Sequence, residues 1–121
     1  MSKTGKQRLP DYLGHMLEAI RRMNRYIESL TEAAFLENEQ VQDAVVRNIE
    51  ILGEAARNVE RHHPDFATQH PEVPWEDIYQ MRNRVSHGYF SVDLEIVWKT
   101  LRRDIPELER KILSLREQLS G

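Results

Sequence analysis

No cysteine occurs in these 121 residues, which excludes a disulfide scaffold and any thiolate metal site. Glycine and proline are scarce at five each, so little interrupts a helical period. No apolar run approaches the ~18 residues of a membrane span. The polar, basic start, Met1 to Pro10, lacks the apolar core of a signal peptide. A cytoplasmic location away from any membrane is the expectation. A basic excess is missing too: 17 Lys and Arg stand against 20 Asp and Glu, for a formal net charge of −3. A general polyanion binder would be strongly basic. Most of the basic residues are nevertheless arginines, and several gather as Arg57, Arg61, His62 and His63 and again as Arg82 and Arg84. A local basic groove on an acidic body stays open.

What is present is helical periodicity. With 40% hydrophobic and 31% charged residues, the chain has the balance of a folded protein, and its length suits one domain. Residues 1–9 carry no period and read as a flexible N-terminal tail; residues 10–121 read as a single helical domain. Leu13, Met16, Leu17, Ile20, Met23, Ile27 and Leu30 recur at three- and four-residue steps, which predicts a first helix with Asp11 as N-cap. Thr31 caps a short turn, Glu32 to Leu36, and Asn38 stops it. A long helix from about 39 to 62 carries Val41, Ala44, Val45, Asn48, Ile49, Leu52, Ala55, Ala56 and Val59 on one stripe.

Gly53 in the middle of that helix costs roughly 1 kcal/mol against alanine. With Ala55 and Ala56 it makes a flat surface for the close approach of another helix, within the monomer or across a subunit interface. Pro64, Pro71 and Pro74 punctuate a connector, and Pro74 opens a helix that turns Trp75, Ile78, Met81 and Val85 inward and ends at Gly88. Ser91 or Asp93 starts a final stretch through Leu119. Within it, Asp104-Ile105-Pro106-Glu107 reads either as a fresh N-terminus capped by Asp104 or as a kink in one long helix at Pro106. The sum is an all-α, up-and-down bundle of four or five helices.

Chemistry concentrates at Met81-Arg82-Asn83-Arg84-Val85-Ser86-His87-Gly88-Tyr89. On a helix Arg82 and His87 stand about 140° apart around the axis and roughly 7.5 Å along it, whereas Asn83 and His87 share a face. The long guanidinium can reach round beside them. Such a cluster offers a bidentate cation for phosphate and an imidazole that titrates near neutrality. Metal-free cleavage of RNA needs little else: a base to take the 2′-OH proton and a cation to stabilise the phosphorane. The bland alternative is a capped helix end, where a histidine binds the last carbonyls and an arginine pairs with a carboxylate. Arg57 and Arg61, one turn apart, are candidate RNA contacts, as is Arg84, against the default of a solvated face. His62, His63 and His70 make a poor metal site, since adjacent histidines point apart on a helix. Neither a metal nor another cofactor is expected.

The pattern Arg82-x4-His87-x-Tyr89 resembles the signature of HEPN-domain proteins, specifically the HepT-like toxins of bacterial and archaeal toxin–antitoxin pairs. Ile51-Leu52-Gly53-Glu54-Ala55, Trp75-Glu76-Asp77-Ile78, Val97-Trp98 and Asp104-Ile105-Pro106-Glu107-Leu108 are similar to that family in the same order. The likeness runs from about residue 10 to about residue 115. It implies a HEPN bundle that forms a homodimer, with two motifs facing one cleft, and a metal-independent endoribonuclease. Arg82 would hold the scissile phosphate, His87 would be the general base or acid, and Asn83 would be the supporting polar residue. Tyr89 matches the tyrosine that a partner antitoxin, a minimal MntA-like nucleotidyltransferase, modifies with AMP to silence the toxin. The added phosphate would neutralise Arg82. The alternative on the same fold is a non-catalytic nucleotide- or RNA-binding subunit of such a transferase. From another class comes a plain helical oligomerisation subunit.

Overall fold

Leu9–Ile27 forms α1, and its inward stripe Tyr12, Leu13, Met16, Leu17, Ile20 and Met23 is sealed from solvent. The helix starts earlier than the expected Asp11 cap. Arg8 is the N-cap and Pro10 sits in the first turn, where its missing N–H costs nothing, leaving Asp11 inside the positive end. This computed structural model describes residues 8–86 and 93–120. Glu32–Leu36 is α2, capped by Thr31 Oγ1, which accepts from the Ala34 amide at 3.1 Å. Asn38 opens the next helix rather than stopping this one: its Oδ1 accepts from the Val41 amide at 3.0 Å at the head of α3, Glu39–His62.

α3 is the centre of the fold, packing along α1 on one side and along α5, Trp75–Ser86, on the other. Its core stripe is Val45, Ile49, Leu52, Ala55, Ala56 and Val59, as the periodicity predicts, with Asn48 buried among them, while Val41 and Ala44 of the expected stripe are only partly buried. Asn48 donates back to the Ala44 carbonyl at 2.9 Å, which satisfies its amide nitrogen inside the helix. Between α3 and α5 the connector forms a short helix, α4, Pro64–Gln69. It is fastened where Trp75 Nε1 donates to the His70 carbonyl at 3.1 Å. Trp75 and Trp98 are both core residues.

Of the two readings open for the last stretch, a fresh start at Asp104 or one long helix through Pro106, the structure takes the continuous helix. Asp93 caps α6, Leu94–Lys99, with Oδ1 accepting from the amides of Glu95 and Ile96. The chain then runs through a π turn, Thr100–Asp104, directly into α7, Ile105–Ser120. The backbone stays helical around Asp104: the Ile105 N–H bonds five residues back to the Thr100 carbonyl. Widening by one residue lets a helix pass a proline whose ring would clash with the carbonyl four positions back, so Pro106 is absorbed rather than starting afresh. The expected end at Gly88 and the Ser91 start both lie outside the described residues.

Neighbouring helices run antiparallel. Tyr12 at the head of α1 meets His62 and His63 at the foot of α3, and Asn24 reaches Glu109 of α7 across 3.4 Å. The described residues are helices and connections with no strand. The described residues form four long rods, α1, α3, α5 and α6–α7, and the short α2 and α4, which is more helical segments than the four or five expected. The bundle closes less tightly between α5 and α6–α7. A groove of about 450 Å³ remains there, lined in part by Ile78, Met81, Val85, Ile96 and Leu108.

The flat surface at Gly53 serves packing within the monomer. A methyl built on Gly53 would overlap Cβ of Arg82 and lie 2.9 Å from its Cγ and 3.2 Å from the Ile78 carbonyl. Alanine there gains about 1 kcal/mol of helix propensity. The overlap falls on the stem of Arg82 and on backbone, so α5 itself must shift, a cost of typically 1–3 kcal/mol. Gly53→Ala is therefore expected to lower the urea midpoint and, through Arg82, to disturb the site more than the fold. Chemical denaturation monitored by circular dichroism checks the first part.

Candidate functional site

The sequence of α5 puts its apolar residues Trp75, Ile78 and Val85 into the core, so Arg82 falls at the margin where α5 meets α3. Gly53 removes the bulk that would hold its stem away. The guanidinium then lies between two oxygens. Nη1 donates to Asn83 Oδ1 at 3.2 Å, and Nη2 stands 3.7 Å from Glu54 Oε1. That second distance is an ion pair too long for a hydrogen bond. Glu54 is the carboxylate partner that the sequence could not assign, and it keeps 55% of its side chain in solvent.

Arg82 Nε is sealed from solvent and finds no hydrogen-bond partner among the described residues. A buried donor left unsatisfied costs about 1–3 kcal/mol. An arginine serving only the fold would be expected to find a full set of acceptors. Among the described residues Arg82 has one hydrogen bond, one loose ion pair and one orphaned N–H, with its side chain 31% exposed. It is a cation held in place and only loosely paired, so its terminal N–H groups can meet an incoming anion that displaces Glu54.

The same margin continues toward the foot of α3. The Arg57 guanidinium sits 4.6 Å above the Tyr79 ring, a cation–π contact that settles the place of both residues. One turn further, Arg57, Arg61, Glu60 and Glu76 line a polar cleft of about 360 Å³. Glu60 Oε1 is sealed with no hydrogen-bond partner among the described residues. Burial pushes the Glu60 carboxyl above the usual carboxylate range, the Glu76 charge pushes the same way, and Arg57 only partly offsets them. Two candidate RNA contacts, Arg57 and Arg61, therefore share an edge with Arg82.

Arg84 does not. Two residues on from Arg82, about 200° around the axis, it lines the groove between α5 and α6–α7 with Asp77 and Asp104. His62 stacks on Tyr12 at 6.1 Å, and His70 faces Glu72 at 3.1 Å and Phe66 at 4.5 Å. These histidines are thus dispersed over aromatic and carboxylate neighbours. His87 and Tyr89, the expected acid–base and modification residues, lie outside the described residues. Sequence reasoning missed that Glu54 faces Arg82 and that Glu60 faces Glu76. The adjacent Gly53-Glu54 pair was the available signal for the first, since a glycine admits the helix that the next residue can then reach.

An all-helical bundle with an incompletely neutralised arginine at a helix margin defines a class rather than a single activity, and sequence comparison supplies the family. The chain belongs to the Ribonuclease HepT-like family, which matches residues 16–115. It is 39% identical over 107 residues to a protein of Thermococcus cleftensis named "Probable ribonuclease HepT", covering 88% of this chain and 94% of that one. It is 38% identical over 108 residues to a Methanocaldococcus jannaschii protein named as a gamma-glutamylcyclotransferase and putative RNase, covering 89% of this chain but 47% of that longer one. A Caldanaerobacter subterraneus protein named as a putative RNase is 34% identical over 101 residues, 84% of this chain and 88% of its own. No solved structure matches. No helix among the described residues is long and apolar enough to cross a membrane.

The raised carboxyl of Glu60 sets a pH dependence. The folded state holds that proton more tightly than the unfolded chain. Its contribution is complete below the ordinary carboxylate value of 4.5 and is lost as pH rises through the higher folded value. Glu60→Gln should accordingly raise the melting temperature at neutral pH and leave it nearly unchanged near pH 4, read by thermal scans at both pH values.

Proposed function

We propose that this chain is the ribonuclease toxin of a toxin–antitoxin pair, a metal-independent endoribonuclease that acts as a homodimer and is silenced by AMP transfer to Tyr89. The observation that carries the ribonuclease reading is Arg82 itself, anchored by Gly53 and Asn83 while its Nε has no acceptor among the described residues and its ion pair with Glu54 is loose. Membership in the HepT-like family and the names of its relatives support the same reading.

In the proposed reaction the Arg82 fork holds the non-bridging oxygens of the scissile phosphate. His87, five residues on, takes the proton of the ribose 2′-OH. The 2′-oxygen then forms its bond to phosphorus, the bond to the 5′-oxygen breaks, and a proton returns to that leaving oxygen. The products are a 2′,3′-cyclic phosphate and a 5′-OH. Charge that builds on the phosphorane meets a cation already in place, so no reorganisation is needed at the moment of reaction. Asn83 keeps one face of the guanidinium turned, through the 3.2 Å hydrogen bond.

Silencing has a simple physical basis. An AMP group on Tyr89, seven residues from Arg82, would place a phosphate within reach of the cation that substrate needs. The transferase that adds it is proposed as a minimal nucleotidyltransferase antitoxin.

Purified protein incubated with single-stranded RNA in EDTA should release 2′,3′-cyclic phosphate ends. Arg82→Ala is expected to slow cleavage by ~10²–10³-fold, and His87→Ala by ~10²–10⁴-fold. Cleavage that survives both changes sinks the assignment, and RNA binding without any cleavage leaves a binding module instead. Intact mass after incubation with the transferase and ATP should rise by AMP units in the wild type and stay unchanged in Tyr89→Phe.

A further inference from the structure

The margin that runs away from Arg82 carries more than one phosphate requires. Gly53, Arg57 and Arg61 follow one another at four-residue steps on α3, a rise of about 6 Å per step. Because Gly53 lies against the stem of Arg82, the guanidinium groups of Arg82, Arg57 and Arg61 mark three successive turns of one edge. Tyr79 and Glu76 of α5 face the second and third of them. The step is close to the separation of adjacent phosphates along an extended single strand.

We propose that this edge is the binding track for a single-stranded RNA, with Arg57 and Arg61 contacting the two phosphates next to the one at Arg82. The inference rests on the ribonuclease reading and adds the substrate class and the direction in which it lies. Arg57 is oriented by the Tyr79 ring beneath it, 4.6 Å from the centroid. A guanidinium lying on an aromatic face keeps its N–H edge available for phosphate oxygens. Arg61 is exposed at the mouth of the polar cleft.

Three carboxylates share the edge. Glu54 stands beside Arg82, and Glu60 and Glu76 stand beside Arg57 and Arg61. An incoming phosphate therefore competes with Glu54 at Arg82 and with the carboxylates that line the same cleft as Arg57 and Arg61. A mononucleotide engages one arginine and gains little over the resident carboxylate. A strand that engages three at once gains through effective concentration, since its second and third contacts are intramolecular. The track accordingly selects polymer over mononucleotide, and it does so on a chain whose net charge of −3 disfavours polyanions elsewhere.

The test is fluorescence anisotropy with labelled 2′-O-methyl oligouridylates, which cannot be cleaved through the 2′-oxygen, from a dinucleotide to a hexanucleotide, over a range of salt. Affinity should climb with length until three phosphates are engaged. Arg57→Ala and Arg61→Ala should each weaken hexanucleotide binding about fivefold at ~0.1 M salt and reduce the log–log salt slope by ~0.7, the release expected for one phosphate contact on a single strand. Arg57→Lys should restore most of the slope, and Arg103→Ala, exposed on the π turn, should leave it unchanged. Unchanged slopes in both alanine variants overturn the track, and the exposed Arg61 keeps the test decisive even if Arg57→Ala unfolds. If RNA is cleaved in an Arg82-dependent way while those slopes stay constant, the ribonuclease reading survives and the track does not. If the wild type neither binds nor cleaves RNA, both fall.

Discussion

The contact on which the rest of this structure depends is that of Gly53 with the stem of Arg82. A glycine in the middle of a long helix sacrifices helix propensity. Here it lets α5 approach α3 until the Arg82 side chain emerges between them, with Glu54 and Asn83 on either side. Any side chain at 53 would separate the two helices and swing the guanidinium off the margin. The contact between α3 and α5 and the placing of the Arg82 guanidinium thus share one constraint.

That arrangement explains why the cation is held yet only loosely paired. Packing against α3 fixes the stem and seals Nε from water, while the terminal nitrogens stay near solvent. A fully paired arginine would be more stabilising, but it would have nothing left to offer a phosphate. Local under-satisfaction of this kind is a recurring property of sites that must recognise a charged ligand. The raised carboxyl of Glu60 on the same edge belongs with it, since burial and a neighbouring carboxylate both disfavour its charge.

The two sides of α5 differ in character. Toward α3 lies a polar margin of arginines and carboxylates. Toward α6 and α7 lies a groove with an apolar floor and charged rim, where Arg84 points and where Ile96 is 58% exposed. The π turn at Thr100–Asp104 lines part of that groove and carries the helix past Pro106 without a break.

The sequence by itself determined the helical class, the inward stripes of α1 and α3, the cap at Thr31 and the burial of both tryptophans, while it left the start of α6 between Ser91 and Asp93. Each follows from a local period or a side chain bonding its own backbone, and such interactions reach no further than a turn or two. It also marked Arg82 as the residue to watch. Where local signals competed, Pro10 overrode Asp11 at the head of α1, and of the two readings left open at Pro106 the structure takes the continuous helix, carried past the proline by the π turn. Only the tertiary structure decided that Gly53 faces Arg82, that Glu54 is its partner, and that Arg57 and Arg61 share its edge while Arg84 does not. Those facts depend on the register between two helices that are distant in the chain. Helical spacing defines the faces of each helix, but packing across the whole core sets how one face slides against another.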